Sequence, residues 1–590
     1  MRNGKILFSL LAFLLISFLA GCTLPGELVR AHSWYVAMTG DDANDCHASV
    51  TPCRTIGVVI EHAARGDTIY VAEGTYREST FGEPAFVINK TLYLVGTGSG
   101  PGAVFLEPSR PRGPVLVVTG VNVHPTVENV TIRNGGDTPV GIGVSVEGGA
   151  GLTLNHSVIR DNAYTGINFS NTEPNASLTL VDVEITNNAW AGINFWSSDP
   201  TAVLSLTNVQ VTQNGGGGIM LGGLGSTQIE GSRVSRNTGS SGIVVGTPAF
   251  GAGGTLSIRR TTIDGNLFDS SASGIWIGEG STVLVMDSTI SGHENTAIYN
   301  EGELTLVNST VSGNGVGIQN NHSLSLIHST VAYNFALSLN DMDATRLFLQ
   351  DSIVLKAAAN DCIDNSHMEL IREGHNLACW SASDGDLRLG PLANNGGPTQ
   401  TIALLPGSPA IDAAGPIIGV SADFFDVLTR DQRGQPRTAI DGGDIGAFEV
   451  QIDTIAATGV PLPETVTPSI PTVVPAAPNS IPMFTLSQNT NCREGTDFAY
   501  KVVVILLQGE AVQIDGRNSI EPRWWWVRIR DSNKHCWVSD STGSASGSLE
   551  SQPVIEAPPL VPSDTPVPPI VPSPTATLKY VPSPTATPKK

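Results

Sequence analysis

Two groups of charged residues in the middle of the chain have the types that carbohydrate-type chemistry would need. Arg160-Asp161 with Asp182 and Glu184 is the better one, and Arg259, Arg260 and Asp264 form the second. A lyase would need carboxylates from neighbouring segments to hold Ca²⁺ and a basic residue to take a proton, roles open to Asp161, Asp182 and Arg160. A hydrolase would need two carboxylates across a cleft, for which Asp161 and Asp182 are the pair. Against both, each acidic residue is replaced by Thr, Asn or Ser one repeat onward, so no dense acidic column forms. Scattered charges on outer strand faces ordinarily serve solvation. Asp41, Asp42, Asn44 and Asp45 make an oxygen-rich loop that could take Ca²⁺. They lack the glycine and distal glutamate of an EF-hand, and a turn closed by Cys46 and Cys53 is the competing reading. No Cys/His cluster has zinc spacing, and no cofactor is expected, with Ca²⁺ at Asp41, Asp42 and Asp45 as the alternative.

What must position these residues is a repeat. The phrase Leu304-Thr-Leu-Val-Asn-Ser-Thr-Val311-Ser-Gly-Asn314 recurs from Leu152, Leu178, Leu204, Thr227, Leu256, Val283, Leu324 and Leu347, with a degenerate copy from Pro125. Spacings run from 20 residues (Leu304 to Leu324) to 29 (Thr227 to Leu256). Such a period marks a solenoid whose units bury their apolar faces only against one another. Positions one and three are apolar and share a face; positions six and eight are small or apolar too, so the chain must bend at four and five. Asn or Asp sits there at Asn129, Asp182, Asn208, Asp287, Asn308 and Asp351, and His156 and His328 in that column are expected to be exposed turn residues. Three residues past position eight comes a column of Asn162, Asn188, Asn214, Asn237, Asn266, His293, Asn314 and Asn334, followed by Gly-Ile pairs opening a third strand. Three short strands per turn, each stacked on its own kind, predict an all-β fold: a right-handed parallel β-helix.

The asparagine column resembles the ladder of pectate-lyase-type β-helices, against the alternative of a sugar-binding row. Trp34 to Tyr76, with Gly40-Asp41-Asp42, Thr51-Pro-Cys53 and Gly66-Asp67-Thr, resembles the opening of many exported β-helix proteins. Ile56, Val59, Ile60 and Ala63 at helical spacing predict a capping helix over 54–64. Composition fits: 590 residues, net charge −22, 64 Gly, 38 Pro and 15 % charged residues. The acidic balance disfavours nucleic acid as a partner.

Arg2 and Lys5 precede an apolar run from Ile6 to Ala20, and the ending Leu19-Ala20-Gly21-Cys22 resembles the bacterial lipobox. That resemblance implies lipidation of Cys22 and membrane attachment of an exported, surface-exposed protein. The six other cysteines fall in local pairs, Cys46/Cys53, Cys362/Cys379 and Cys492/Cys536, and read as three disulfides of an oxidising compartment.

Beyond the repeats, Gly390-Pro-Leu, Gly396-Gly-Pro-Thr399, Leu404-Leu-Pro-Gly-Ser-Pro-Ala-Ile-Asp412, Asp431-Gln-Arg-Gly434 and Asp444-Ile-Gly-Ala-Phe-Glu449 resemble the choice-of-anchor Q ending of bacterial surface proteins, expected here as a C-terminal cap. Asn491-Cys492-Arg493, Trp524-Trp-Trp526-Val-Arg528 and Cys536-Trp-Val538 resemble a small SH3-like barrel. Trp524, Trp525 and Trp526 cannot share one strand face, so at least one should be exposed as a ligand-binding candidate. The expected order is signal and lipidation site 1–22, cap and first coils 23–124, repeats 125–375, cap 376–450, Pro/Thr-rich linker 451–482, SH3-like domain 483–545 and disordered Pro/Ser/Thr-rich tail 546–590. The functional expectation is a monomer that recognises polysaccharide or envelope material without catalysis. A polysaccharide lyase or glycosidase is the alternative, and an inert stalk the third.

Overall fold

The computed structural model describes residues 31–78, 84–110, 112–136, 139–246, 254–266, 272–341, 345–355, 369–380, 386–415, 427–437, 443–451, 482–486, 490–493, 495, 502–506, 511–518, 524–529, 534–546, 549 and 552–555. Cys22, the leader, Cys362 and most of the linker and tail lie outside them. Two compact units are present, Met1–Ala456 and Ala457–Lys590.

The alternation of apolar residues sets the first unit. Among the described residues it holds three parallel sheets: A with 14 strands from Ser33–Val36 to Glu369–Glu373, B with 13 from Gly74–Glu78 to Leu377–Trp380, and C with 11 from Phe86–Ile88 to Leu337–Asp341. One coil runs Val203–Thr207 in sheet A, Gln210–Thr212 in sheet B and Ile219–Gly223 in sheet C. The register keeps like on like, with Leu204 paired to Leu178, Val211 to Ile185 and Ile219 to Ile193. All six side chains are buried, in one continuous core that runs from Val36 to Val354. Each such residue contributes about 1.5–3 kcal/mol of burial, available only because the next coil covers it. This is a right-handed β-solenoid of about ten turns.

The expected bend between sheets A and B is a left-handed residue in coil after coil: Asn129, His156, Asp182, Asn208, Gly231, Arg260, Asp287, Asn308, His328 and Asp351 have φ between 44° and 59°. Asn, Asp and Gly tolerate that region best, which explains the composition of the column. The sheet B to C turn has a second such residue, at Asn134, Asp161, Asn187, Gln213 and Arg236, directly before the buried asparagine column from Asn162 onward.

The capping helix α1 spans Ile56–His62, shorter than expected. Its ends are fixed by side chains from elsewhere. Glu78 accepts the N–H groups of Ile56 (2.6 Å) and Gly57 (2.8 Å), and Lys90 Nζ donates to the carbonyls of Ile60, Glu61 and Ala63 at 2.8–2.9 Å. These bonds satisfy groups that a short helix leaves bare.

Part of the segment expected as a C-terminal cap lies along the flank of the last coils, and Leu387, Leu404, Ala410 and Ile445 pack with Ile353. Gln432 Nε2 donates to Ser288 O (3.1 Å) and Thr289 Oγ1 (2.9 Å), while its Oε1 accepts from Thr310 Oγ1 (2.6 Å). Arg437, buried, donates to Asn308 Oδ1 (3.0 Å) and Glu449 Oε2 (3.3 Å). Gly446 N donates to Asp351 O at 2.9 Å. The consequence corrects the expectation for His328: it is 1 % exposed, with Nε2 3.7 Å from Asp351 Oδ2, because this segment covers the bend column of the later coils. Burial, and secondarily Arg437, holds its imidazole well below the ordinary range. His156, in an uncovered coil, has a side chain 59 % exposed, as expected.

The second unit is a small antiparallel sheet of seven described strands. Phe484, Leu486, Ile514, Trp525, Val527 and Val538 fill its core, tied by the Cys492–Cys536 disulfide.

Of the three expected disulfides, Cys46–Cys53 and Cys492–Cys536 are formed among the described residues. The third expected pair, Cys362/Cys379, falls on Cys362, which lies outside the described residues. The backbone of Cys379 belongs to the last strand of sheet B. Val354 pairs with Ala378 and Leu355 with Trp380, so Cys379 is the extra residue at a shift of register where the last strand of the sheet departs from the regular ladder.

Candidate functional site

The favoured charged group is not brought together. Val158, Ile159 and Arg160 pair with Glu184, Ile185 and Thr186, so Asp161 follows one end of sheet B and Asp182 precedes the other. Asp161 is a turn residue with φ 56° whose carboxylate takes Arg160 Nη1 at 2.6 Å. Asp182 is a bend residue held by Asn208 and by His156 Nε2, the latter at 3.0 Å. Both aspartates therefore occupy positions that the backbone reserves for such residues. In the second group, Arg233 grips Asp264 with two bonds of 3.0 and 2.7 Å, Arg259 Nε meets Asp287 at 3.2 Å and Arg260 reaches Glu230 at 3.5 Å, each linking neighbouring coils.

In the first loop each of the three aspartates proposed for calcium accepts a local donor, and Asn44 Nδ2 donates to Pro52 O at 2.8 Å. Asp42 takes the N–H groups of Arg54 and Thr55, both at 2.8 Å, Asp41 takes Ala43 N at 3.0 Å and Asp45 takes Thr51 Oγ1 at 3.2 Å. The Cys46–Cys53 disulfide closes the same loop. Among the described residues no group of three or more His, Cys, Asp or Glu is placed to hold a metal.

The asparagine column is a buried ladder. Each Nδ2 donates to the next Oδ1: Asn162 to Asn188 (2.8 Å), then Asn214, Asn237 and Asn266 (2.9 Å each). His293 continues it between Asn266 (3.3 Å) and Asn314 (3.0 Å), and Asn314 donates to Asn334 at 2.9 Å. These side chains are at most 4 % exposed, which leaves no room for a sugar and makes the column structural. The Gly-Ile glycines follow from it: a Cβ on Gly242 would come within 2.6 Å of Asn266 Nδ2.

The outer face of sheet C is different. Its register aligns Asn168, Asn194, Met220, Val244, Trp276, Tyr299 and Gln319 in one outward column. Because strands repeat about 4.8 Å apart, aromatic residues in one column must stack. Trp276 and Tyr299 do so at 6.2 Å and 7° between planes. At the entry to the sheet, Tyr164 and Trp190 stack at 4.9 Å and 4°, with Trp190 lying against Gly216. Trp196 stands beside Gly222. All five rings are half-buried. Asn194 Nδ2 bonds Asn168 Oδ1 (2.8 Å), and Tyr299 OH lies between Glu301 (2.9 Å) and Asn321 (3.0 Å). This face escaped the sequence reading, although the signal was there: Trp276 and Tyr299 each directly follow the inward isoleucine of their strands.

In the second unit Trp525 points into the core, with Nε1 bonded to Asp540 Oδ1 at 2.5 Å, and Trp524 is also buried. Trp526, on the opposite strand face from Trp525, is half-buried rather than exposed. His535 stacks on it at 5.4 Å and Trp537, its strand partner, covers its edge at 5.0 Å.

Residues 115–247 and 199–345 match the family described as right handed beta helix region, so this part of the chain is a right-handed β-helix domain. Similar solved structures include pectate lyase Pel9A (16 % identity, TM-score 0.41, 71 % of this chain and 96 % of that one). A GH136 lacto-N-biosidase from Eubacterium ramulus has 13 % identity and TM-score 0.35, covering 58 % and 67 %. The catalytic domain of a GH87 alpha-1,3-glucanase in complex with nigerose has 13 % identity and TM-score 0.37, covering 55 % and 67 %. At these identities the likeness concerns the fold alone. No curated protein matches the chain in sequence.

Proposed function

We propose that this is an exported, lipid-anchored surface protein that recognises polysaccharide, and that the outer face of sheet C is its binding surface. The carrying observation is the run of half-buried rings Tyr164, Trp190, Trp196, Trp276 and Tyr299, interleaved with the amides of Asn168, Asn194 and Gln319. An aromatic face offers an apolar platform to the C–H side of a pyranose ring, while neighbouring amides take its hydroxyls. Stacking along the solenoid repeats these groups at strand spacing, which suits an extended chain better than a small molecule.

The test is binding of the full chain to a panel of neutral polysaccharides. Trp276→Ala is expected to weaken binding about tenfold, a loss of ~1.4 kcal/mol for one stacked ring. An unchanged affinity in Trp276→Ala and Trp190→Ala would sink the assignment of this face. Release of new chain ends from the bound polymer would replace recognition by turnover.

Export and anchoring rest on the leader sequence ending at Cys22, and the two described disulfides suit the oxidising compartment this implies. Cys22→Ala should move the protein from the membrane fraction to the soluble fraction; continued membrane retention would refute a lipid anchor. The choice-of-anchor Q and SH3-like assignments of 376–450 and 483–545 belong to the same proposal, as modules that hold and present the solenoid at the cell surface.

A further inference from the structure

A second site is built where the C-terminal segment crosses the flank of the solenoid. Arg259, Arg260 and Asp287 from two successive coils, with Arg430, Asp431 and Arg433 from the segment, line a cleft of about 340 Å³. The lining holds four arginines to two aspartates, with Glu230 beside Arg260, so the cleft is locally positive in a protein of net charge −22. Their pairings are unequal. Asp431 is buried and saturated, accepting Arg433 N (2.9 Å), Arg433 Nε (2.8 Å), Gln435 N (2.9 Å) and Glu449 N (3.0 Å). Arg433 spends its other nitrogens on the carbonyls of Asn395 and Glu449 and stacks over Phe448. Arg259 is matched by Asp287. That leaves Arg260, whose contact with Glu230 is 3.5 Å between side chains 49 % and 40 % exposed, and Arg430, whose Nη1 donates to the neutral carbonyl of Gly434 at 3.0 Å.

Arg260 is also out of place by backbone logic. It holds the left-handed bend position, φ 48°, where the other coils put Asn, Asp, His or Gly. A long side chain gains nothing from that conformation and carries its strain. Gly434, across the cleft, has φ 85° and open space where a side chain would stand. Two guanidiniums with donors to spare, in a cleft walled on two sides, form a receptor for a planar or tetrahedral oxyanion.

We propose that this cleft binds an oxyanion and, resting on the polysaccharide reading above, that the group it takes is the carboxylate or sulfate of an acidic polysaccharide. The site is separate from sheet C and stands or falls without it. The experiment is calorimetry of the full chain with a short galacturonic acid oligomer, its methyl ester, a sulfated disaccharide, inorganic sulfate and inorganic phosphate. Arg260→Asn restores the residue type of the column and should fold at least as well as the native protein; Arg430→Gln is the second variant.

The charged oligosaccharides should bind, weaken with added salt and lose at least tenfold affinity in either variant, with the ester not binding. Equal binding of uronate and sulfate arms identifies the charge alone as the determinant, and preference for one identifies the source. Tight binding of inorganic phosphate with none of either sugar would overturn the polysaccharide assignment. Absence of binding by every anion, or affinity unchanged in both variants, would overturn the site. Trp276→Ala should leave binding of the short oligomer unchanged, so failure of the sheet C reading and failure of this one are distinguishable.

Discussion

Asn237→Leu is expected to lower the unfolding free energy of the solenoid by about 3–5 kcal/mol, although the substitution adds apolar surface and keeps the branched shape of the side chain. Asn237 is fully buried. Its Nδ2 donates to Val211 O and Asn266 Oδ1, both at 2.9 Å, and its Oδ1 accepts Asn214 N (3.0 Å) and Asn214 Nδ2 (2.9 Å). Leucine removes all four bonds. Val211 O and the Asn214 N–H remain at the turn, away from water, and each orphaned buried group costs about 1–3 kcal/mol. The loss should be read as a downward shift of the urea midpoint. A change below about 1 kcal/mol would mean that the turns hold themselves and the ladder merely fills them.

A contrast with pH is expected at the one ladder position from Asn162 to Asn334 that is not asparagine. His293 is 2 % exposed, and burial pushes its imidazole down from 6.5 to about 4. The ladder explains why neutrality is required. Assigned from its bonds, Nδ1–H donates to Asn314 Oδ1 and Nε2 accepts from Asn266 Nδ2. Protonation would set an N–H against an amide NH₂. Because the folded state binds the proton more weakly than the unfolded state, this group's stabilisation is complete above about pH 6.5. It falls as pH drops toward 4, by ~3 kcal/mol in all. His293→Asn restores an unbroken amide ladder. The stability difference between native protein and variant should therefore change by ~3 kcal/mol between pH 7 and pH 4, in the direction that favours the variant in acid. Subtracting the two curves removes carboxylates common to both, including Asp444, which burial pushes up to about 6. Parallel curves across this range would show that His293 titrates normally and that the ladder tolerates charge.

The solenoid was legible because its physics is local and repeated. Apolar residues at period two, a left-handed bend filled by Asn or Asp, and a glycine where a Cβ would strike the ladder each leave a column in the text. The Asp41–Asp45 loop was readable as a disulfide-closed turn for the same reason: its partners lie within about a dozen residues. What the columns could not show was which stretch of distant sequence covers them. His328 has the same local phrase as His156, and only residues more than eighty positions later decide that one is buried and the other exposed. The same holds for Arg259 and Arg260, ordinary outer charges by pattern, which become cleft residues when Arg430 and Arg433 are laid beside them. Conversely, Asp161 and Asp182 looked like a pair because they are one coil apart. Coil registration does not make them neighbours, since Asp161 follows its strand of sheet B while Asp182 precedes the strand paired with it.

The flanking C-terminal segment has a consequence for the order in which the protein can mature. Coils up to Asp264 complete themselves as each new turn is added, so they can form while the chain is still emerging. The coils bearing Ser288, Thr310 and Asn308 cannot: their outward polar groups wait for Gln432 and Arg437, up to 144 residues further along. Folding should therefore proceed vectorially through the first coils and then pause. The last coils would lock in one late, high-contact-order step, and a chain released short of residue 437 would carry a finished front and an unsealed rear.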